Sequence, residues 1–140
     1  MIHISKNEID ILKIFDHIKD TSSGASVVFT GQVRDHNSKG QSVYGIFYEA
    51  YEEMVENVLK KIEQEVFEKW NISKFVVIIR VGNLAVGQLS VIVGVSSEHR
   101  KDAFEACRYG IDNVKNRCPI WKKEKTESGS VWVEGVMIKE

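Results

Sequence analysis

The sequence predicts an α+β domain built around a mostly antiparallel sheet, and three observations lead there. Strand-like and helix-like stretches are mixed along the chain without regular βαβ alternation. No glycine-rich phosphate loop of the GxGxxG or Walker kind accompanies them. The 140 residues, 43% hydrophobic and with one proline, fit a single domain (1–140) with a core and no linker.

Each element has its own signal. From Asn7 to about Lys19 the residues Ile9, Ile11, Leu12, Ile14, Phe15 and Ile18 recur mostly three or four apart, so an amphipathic helix is expected. Ser22-Ser23-Gly24 closes it. Ala25 to Val33 is rich in β-formers and runs into a polar loop from Asp35 to Gln41, expected to be mobile. Val43 to Tyr51 reads as an aromatic-rich strand and Glu52 to Trp70 as a helix. Phe75–Val81 and Leu89–Val95 are two further strands. Ser96 or Ser97 is expected to cap a helix running from about Glu98 to Arg117, which Cys118-Pro119 stops. An extended piece, Ile120 to Lys125, leads through Ser128-Gly129 to a last strand over Val131 to Ile138.

Composition removes several classes of function. Nineteen Lys plus Arg balance twenty Asp plus Glu for a net charge of −1, against general binding to nucleic acid or a membrane surface. No apolar run approaches the ~18 residues of a membrane span, and MIHISKNEID carries no signal-peptide core. Cys107 and Cys118 form no CxxC and no structural metal pattern; both are read as structural, in a reduced cytoplasmic protein.

Four features carry possible chemistry. Glu98-His99-Arg100-Lys101 puts cations at a helix N-terminus, where free backbone N–H groups already favour an anion; ordinary solvated charges are the plain alternative. Lys115 lies about 20° from Phe104 and about 40° from Ile111 around the helix, beside the stripe Ala103, Phe104, Cys107, Ile111 and Val114. Partial desolvation there favours a neutral amine that acts as base or nucleophile, whereas a snorkelling lysine is the commoner case. In Pro119-Ile120-Trp121-Lys122-Lys123-Glu124, alternation puts Lys122 and Glu124 on one face and Trp121 and Lys123 on the other. Arg34 closes a strand at the mouth of the polar loop, placed to clamp a phosphate or carboxylate.

Together these segments resemble the catalytic (large) subunit of molybdopterin synthase. The resemblance runs from about Gly24 to Glu134 and includes Phe29-Thr30-Gly31-Gln32-Val33-Arg34, Tyr48-Glu49-Ala50-Tyr51 with Met54, and Arg80-Val81-Gly82 with Leu84 and Gly87. It continues through His99-Arg100, Ala103-Phe104-Glu105-Ala106, Lys115, Pro119 to Glu124, and Trp132-Val133-Glu134. Three positions depart from the family's habit: Ile79 stands in place of a frequent His, Gln88 in place of an acidic residue, and Val136 where a relative can carry a substrate-binding arginine.

The resemblance implies an α/β-hammerhead type of α+β fold and a homodimer that becomes a heterotetramer with two small carrier subunits. The implied carrier is ubiquitin-like and ends in a Gly-Gly thiocarboxylate. The implied reaction moves two sulfurs to a cyclic pyranopterin monophosphate, making the dithiolene of molybdopterin, with no redox cofactor or metal at this step. The family's functional positions fall on Gln32, Val33, Arg34, His99, Arg100, Lys115, Lys122, Lys123 and Glu124. Lys115 and Lys122 are the expected catalytic pair, the others binding substrate. Two other readings compete: a non-catalytic adaptor for a ubiquitin-like tail, and a phosphometabolite-binding regulator using the helix N-terminus. His99 and Lys115 are sixteen residues apart, ~24 Å along a straight helix and ~160° around it. If both serve one site, they must come from two copies of the chain.

Overall fold

The structure, a computed structural model, describes residues 1–133. Glu134, Val136 and the predicted strand beyond Val133 therefore lie outside the described residues. The elements in order are β1 (Ile2–Ser5), α1 (Ile11–Ile18), β2 (Ala25–Gln32), β3 (Val43–Ala50), α2 (Glu52–Lys69), β4 (Ile72–Arg80), β5 (Gly82–Ala85), β6 (Leu89–Ser97), α3 (Arg100–Arg117), β7 (Ile120–Thr126) and β8 (Gly129–Trp132). They form two four-stranded sheets, ordered β1-β4-β6-β2 and β5-β3-β7-β8. Every pairing is antiparallel except β1 against β4, so the expected α+β class is observed. None of the described helices is long and apolar enough to cross a membrane.

The first sheet is covered on both faces, as strict alternation along β4 requires. Phe75, Val77 and Ile79 face the larger core with Val91, Val93 and Val95, under α2 and α3. Val76, Ile78 and Ile92 face Ile14 and Ile18 of α1. The smaller second sheet closes on Val33, Val43, Ile46 and Leu84. The outer helices are tied together by Arg117 of α3, whose guanidinium donates to both carboxylate oxygens of Glu65 on α2 at 2.6 and 3.1 Å.

Five expectations are corrected by the structure. The first helix begins at Ile11, not Asn7, because the Asp10 side chain accepts from the Leu12 N–H and caps it there. Four residues before it form β1, too short to show a period and held by its register on β4. Likewise the four-residue β5, read only as a glycine-bearing connection, is a strand because β3 pairs with it. Ser96 and Ser97 do not cap α3: pairing with β2 and β4 keeps both in β6, fully buried, and His99 is the N-cap without a side-chain cap bond. Phe104, assigned by spacing to the apolar stripe of α3, is 61% exposed; Ala103, Ala106, Cys107, Gly110, Ile111 and Val114 are the buried face.

The polar loop after β2 folds on itself. Asp35 O accepts from Val43 N, His36 bridges to Ser42, and the Asn37 side chain is buried within the turn.

Candidate functional site

A cleft of about 800 Å³ opens where the end of β2, the 35–42 loop, the C-terminal half of α3 and the β7–β8 hairpin meet. Among the described residues, Arg34, Lys39, Lys115 and Lys122 line it, against one carboxylate, Glu124. A chain whose net charge is −1 thus concentrates four cations around one concavity. Such a cleft draws in anions and screens them poorly from its walls.

Local structure explains each placement. β2 ends with a bulge between Gly31 and Gln32, after which Val33 turns inward and Arg34 outward. Val33 is 3% exposed, and its N–H and C=O are both engaged, by Gln88 O and Gly87 N. Its contribution is to fix the strand end that presents Arg34, while Gln32 is exposed on the same side as Arg34. β7 pairs with β3 so that Tyr48 stands opposite Lys122 and Ile46 opposite Glu124. Lys122 and Glu124 therefore share the cleft face, as alternation predicted. Lys123 lies on the outer face opposite Phe47, its ammonium 4.7 Å from the Trp132 ring centre. Trp121 reaches the rim and donates its indole N–H to Glu49 at 2.8 Å.

Tyr48 and Lys39 also line the cleft, and the sequence reading gave neither a role, although Tyr48 stands in the family-like run from Tyr48 to Tyr51. Tyr48 is half-buried in the cleft wall, where burial raises its phenol above the ordinary value. A hydrogen bond with Ser90 and the Arg34 charge act against that rise, and the Glu124 carboxylate adds to it. The group is a neutral hydroxyl in the working range, able to donate or accept beside the lysines. Its signal, a tyrosine directly across from Lys122, is visible only once the strand register is known. Lys39 is brought in by the folded loop and has no sequence signal beyond its charge.

Lys115 is exposed within the protomer, so the desolvation expected from its place beside the apolar stripe is not produced by this chain alone. It lines a second hollow of about 730 Å³ between α3 and β2, beside Val27, Phe29, exposed Phe104 and Ile111. Among the described residues β2 is an edge strand of its sheet, and that hollow lies along its outer edge. His99 and Arg100 stand at the opposite end of α3, exposed and outside the cleft, with His99 Nε2 3.3 Å from Glu98 Oε1. One protomer thus gathers Arg34, Lys115, Lys122 and Glu124 and leaves His99 and Arg100 apart. Of the departures, Ile79 is buried in the main core. Gln88 donates to Glu8 at 2.9 Å, a bond no carboxylate could make. Neither lines the cleft.

Comparison with known proteins gives one consistent result. A protein-family profile described as MoaE protein matches residues 4–117. A molybdopterin synthase catalytic subunit from Pyrococcus abyssi is 41% identical over 118 residues, covering 84% of this chain and 79% of that protein. The crystal structure of molybdopterin synthase from Staphylococcus aureus superposes with a TM-score of 0.87 at 39% identity, over 93% of this chain and 94% of that one. A complex of subunits 1 and 2 of molybdopterin-converting factor from Helicobacter pylori, 20% identical with a TM-score of 0.80, shares the fold over 96% of this chain and 90% of that one.

Proposed function

The chain belongs to the MoaE protein family, and on that premise we propose that it is the catalytic subunit of a molybdopterin synthase, a sulfurtransferase working as one catalytic domain. It takes sulfur from the C-terminal thiocarboxylate of a small ubiquitin-like carrier and adds it to cyclic pyranopterin monophosphate, forming the dithiolene of molybdopterin. The observation that carries this reading is the convergence of Arg34, Lys115, Lys122 and Glu124, from three separate elements, on one cationic cleft. A cytoplasmic setting goes with it, supported by two free, buried thiols that suit a reducing compartment.

The chemistry asks for positive charge on both reactants, because the precursor is a phosphate and the carrier tail a thiocarboxylate. Arg34 holds the precursor's anionic side with its planar fork. Lys115 and Lys122 stand where the tail and the reacting carbons meet. In neutral form a lysine takes the proton that each sulfur addition releases and returns it as water leaves. In ammonium form it stabilises the oxyanion that forms when the carrier's acyl–sulfur bond is hydrolysed. Glu124, two residues along the same face of β7, orients the Lys122 ammonium. Gln32, Lys123 and Val33 act at the rim or through the strands that hold these groups.

His99 and Arg100 enter the same site from a second copy of the chain. The hollow along α3 and the free edge of β2 supports this arrangement. A two-fold pairing across that face brings the His99 end of one α3 towards Lys115 of the other. It also covers Phe104 and removes water from Lys115, which a lone protomer leaves exposed. The working assembly is then a homodimer carrying one carrier per protomer, a heterotetramer.

The test is to mix the purified protein with thiocarboxylated carrier and the pterin precursor and assay for dithiolene. Product formation is the expected result. Carrier binding without product would make the protein an adaptor, and phosphate-ligand binding without any carrier would make it a regulator.

A further inference from the structure

The 35–42 loop contains a polar residue whose bonding exceeds what a turn needs. Asn37 is 9% exposed, and a buried amide is tolerated only when its hydrogen-bonding groups are satisfied. Its Oδ1 accepts from the N–H groups of Lys39 and Gln41, both at 3.0 Å. These two bonds, with Asn37 N–H donating to Gln41 O at 3.0 Å, already fold the loop as an Asx-type turn. The amide's donor half does something else. Nδ2 donates to Gln41 Oε1 at 2.9 Å and to Glu124 Oε1 at 3.0 Å, across 87 residues of sequence.

We propose that Asn37 is a positioning residue for sulfur transfer: it fixes the direction of the Glu124 carboxylate and, through the same turn, carries Lys39 to the cleft as a further anion-binding cation beside Arg34. The proposal rests on the cleft reading given above. A neutral amide donor suits this task, because it fixes one carboxylate oxygen without cancelling the charge that Glu124 presents to its surroundings. The charged and titratable groups sharing the cleft with Glu124 are Tyr48 of β3, Lys122 of β7, Lys115 of α3, Arg34 after β2 and Lys39 of the loop. Among the described residues Glu124 is the only carboxylate lining the cleft, so an acidic residue at position 37 adds a second one beside it.

Asn37→Asp separates the two roles, since it keeps the acceptor that folds the turn, loses the donor to Glu124 and adds that second carboxylate. The full chain with its carrier is assayed for kcat, for KM of the pterin precursor and for the pH profile of kcat, with Lys122→Ala alongside. For Asn37→Asp, kcat falls about tenfold and the acid limb moves to higher pH, because two adjacent carboxylates retain a proton longer. Its Tm falls because a nearly buried carboxylate now faces Glu124, and its KM rises modestly because the cleft gains a negative charge, so the moved profile is the readout that separates positioning from turn-forming. For Asn37→Ala, KM rises as well, because the turn that carries Lys39 is released. A native kcat and pH profile in Asn37→Asp, with Lys122→Ala inactive, overturns this proposal alone. So does a loss of kcat that tracks Tm with the profile unmoved, which marks Asn37 as a turn-former only. A fully active Lys122→Ala overturns the cleft reading instead. Should Asn37→Ala fail to fold, the profile of Asn37→Asp still decides.

Discussion

Lys115 and Lys122 reach the cleft from different elements, α3 and β7. Lys115→Ala is exposed at the substituted position, so its Tm and carrier binding should match the native chain while dithiolene formation disappears. Normal turnover by that variant would remove Lys115 from the mechanism. Lys122→Ala should also lose most activity, and Glu124→Ala less, because a carboxylate that orients a lysine is one step from the chemistry. At Arg34 the distinction is geometric. Arg34→Lys keeps the charge and loses the bidentate fork, so calorimetry should show precursor binding weakened by ~1–3 kcal/mol, the worth of a charge-assisted hydrogen bond. Unchanged affinity in Arg34→Ala would dismiss the clamp.

At the scale of elements, the approach of the β2 start to the α3 start is set by one glycine. A Cβ on Gly24 would sit 2.8 Å from the backbone oxygen of Glu98, and Gly24 N–H donates to that same oxygen at 3.2 Å. Gly24→Ala must push the two segments apart. It should cost ~1–3 kcal/mol of stability, the overpacking range, and so lower Tm, and it should disturb the His99 end of α3 more than the Lys115 end. Thermal melts with site-resolved hydrogen exchange would show both. The two thiols make a second element-scale prediction. Burial against β6 pushes Cys107 up to about 11, and burial at the end of α3 pushes Cys118 up to about 12, from an ordinary 9.0. Folded chains then hold these protons where unfolded chains release them. Their contribution is whole below about pH 9 and is lost as pH rises, towards 11 for Cys107 and towards 12 for Cys118, by up to ~1.4 kcal/mol per pH unit for each thiol. Melts between pH 8 and 11 should show the decline, and Cys107→Ala with Cys118→Ala should flatten it.

For the whole molecule the decisive question is which copy supplies His99 and Arg100. The structure keeps them and Lys115 at opposite ends of α3, whose 18 residues span ~27 Å at ~1.5 Å each. A pterin phosphate is too small to touch both. A His99→Ala/Arg100→Ala variant and a Lys115→Ala variant, each nearly inactive alone, should therefore regain part of their activity when mixed, because each heterodimer then holds one native site. Verified subunit exchange with no return of activity would place the site within one protomer.

The sequence by itself determined what depends on local periodicity and residue chemistry: the α+β class, the main strands and helices, the shared face of Lys122 and Glu124, and the family. Alternation of side chains in a strand and the 3.6-residue helical turn are properties of a few neighbouring residues, so they are written locally. Tertiary structure alone decided what depends on pairing between distant segments. β1 and β5 exist because β4 and β3 accept them, and Ser97 is strand, not cap, because two neighbours hold it there. Tyr48 became a cleft residue through its register on β7, and Asn37 through a bond to a carboxylate 87 residues away. Helical spacing placed Phe104 and Lys115 beside an apolar stripe but did not say how far the sheet beneath α3 extends. Among the described residues the sheet ends at β2, with Phe104 and Lys115 exposed, and a helix period carries no information about where a sheet ends.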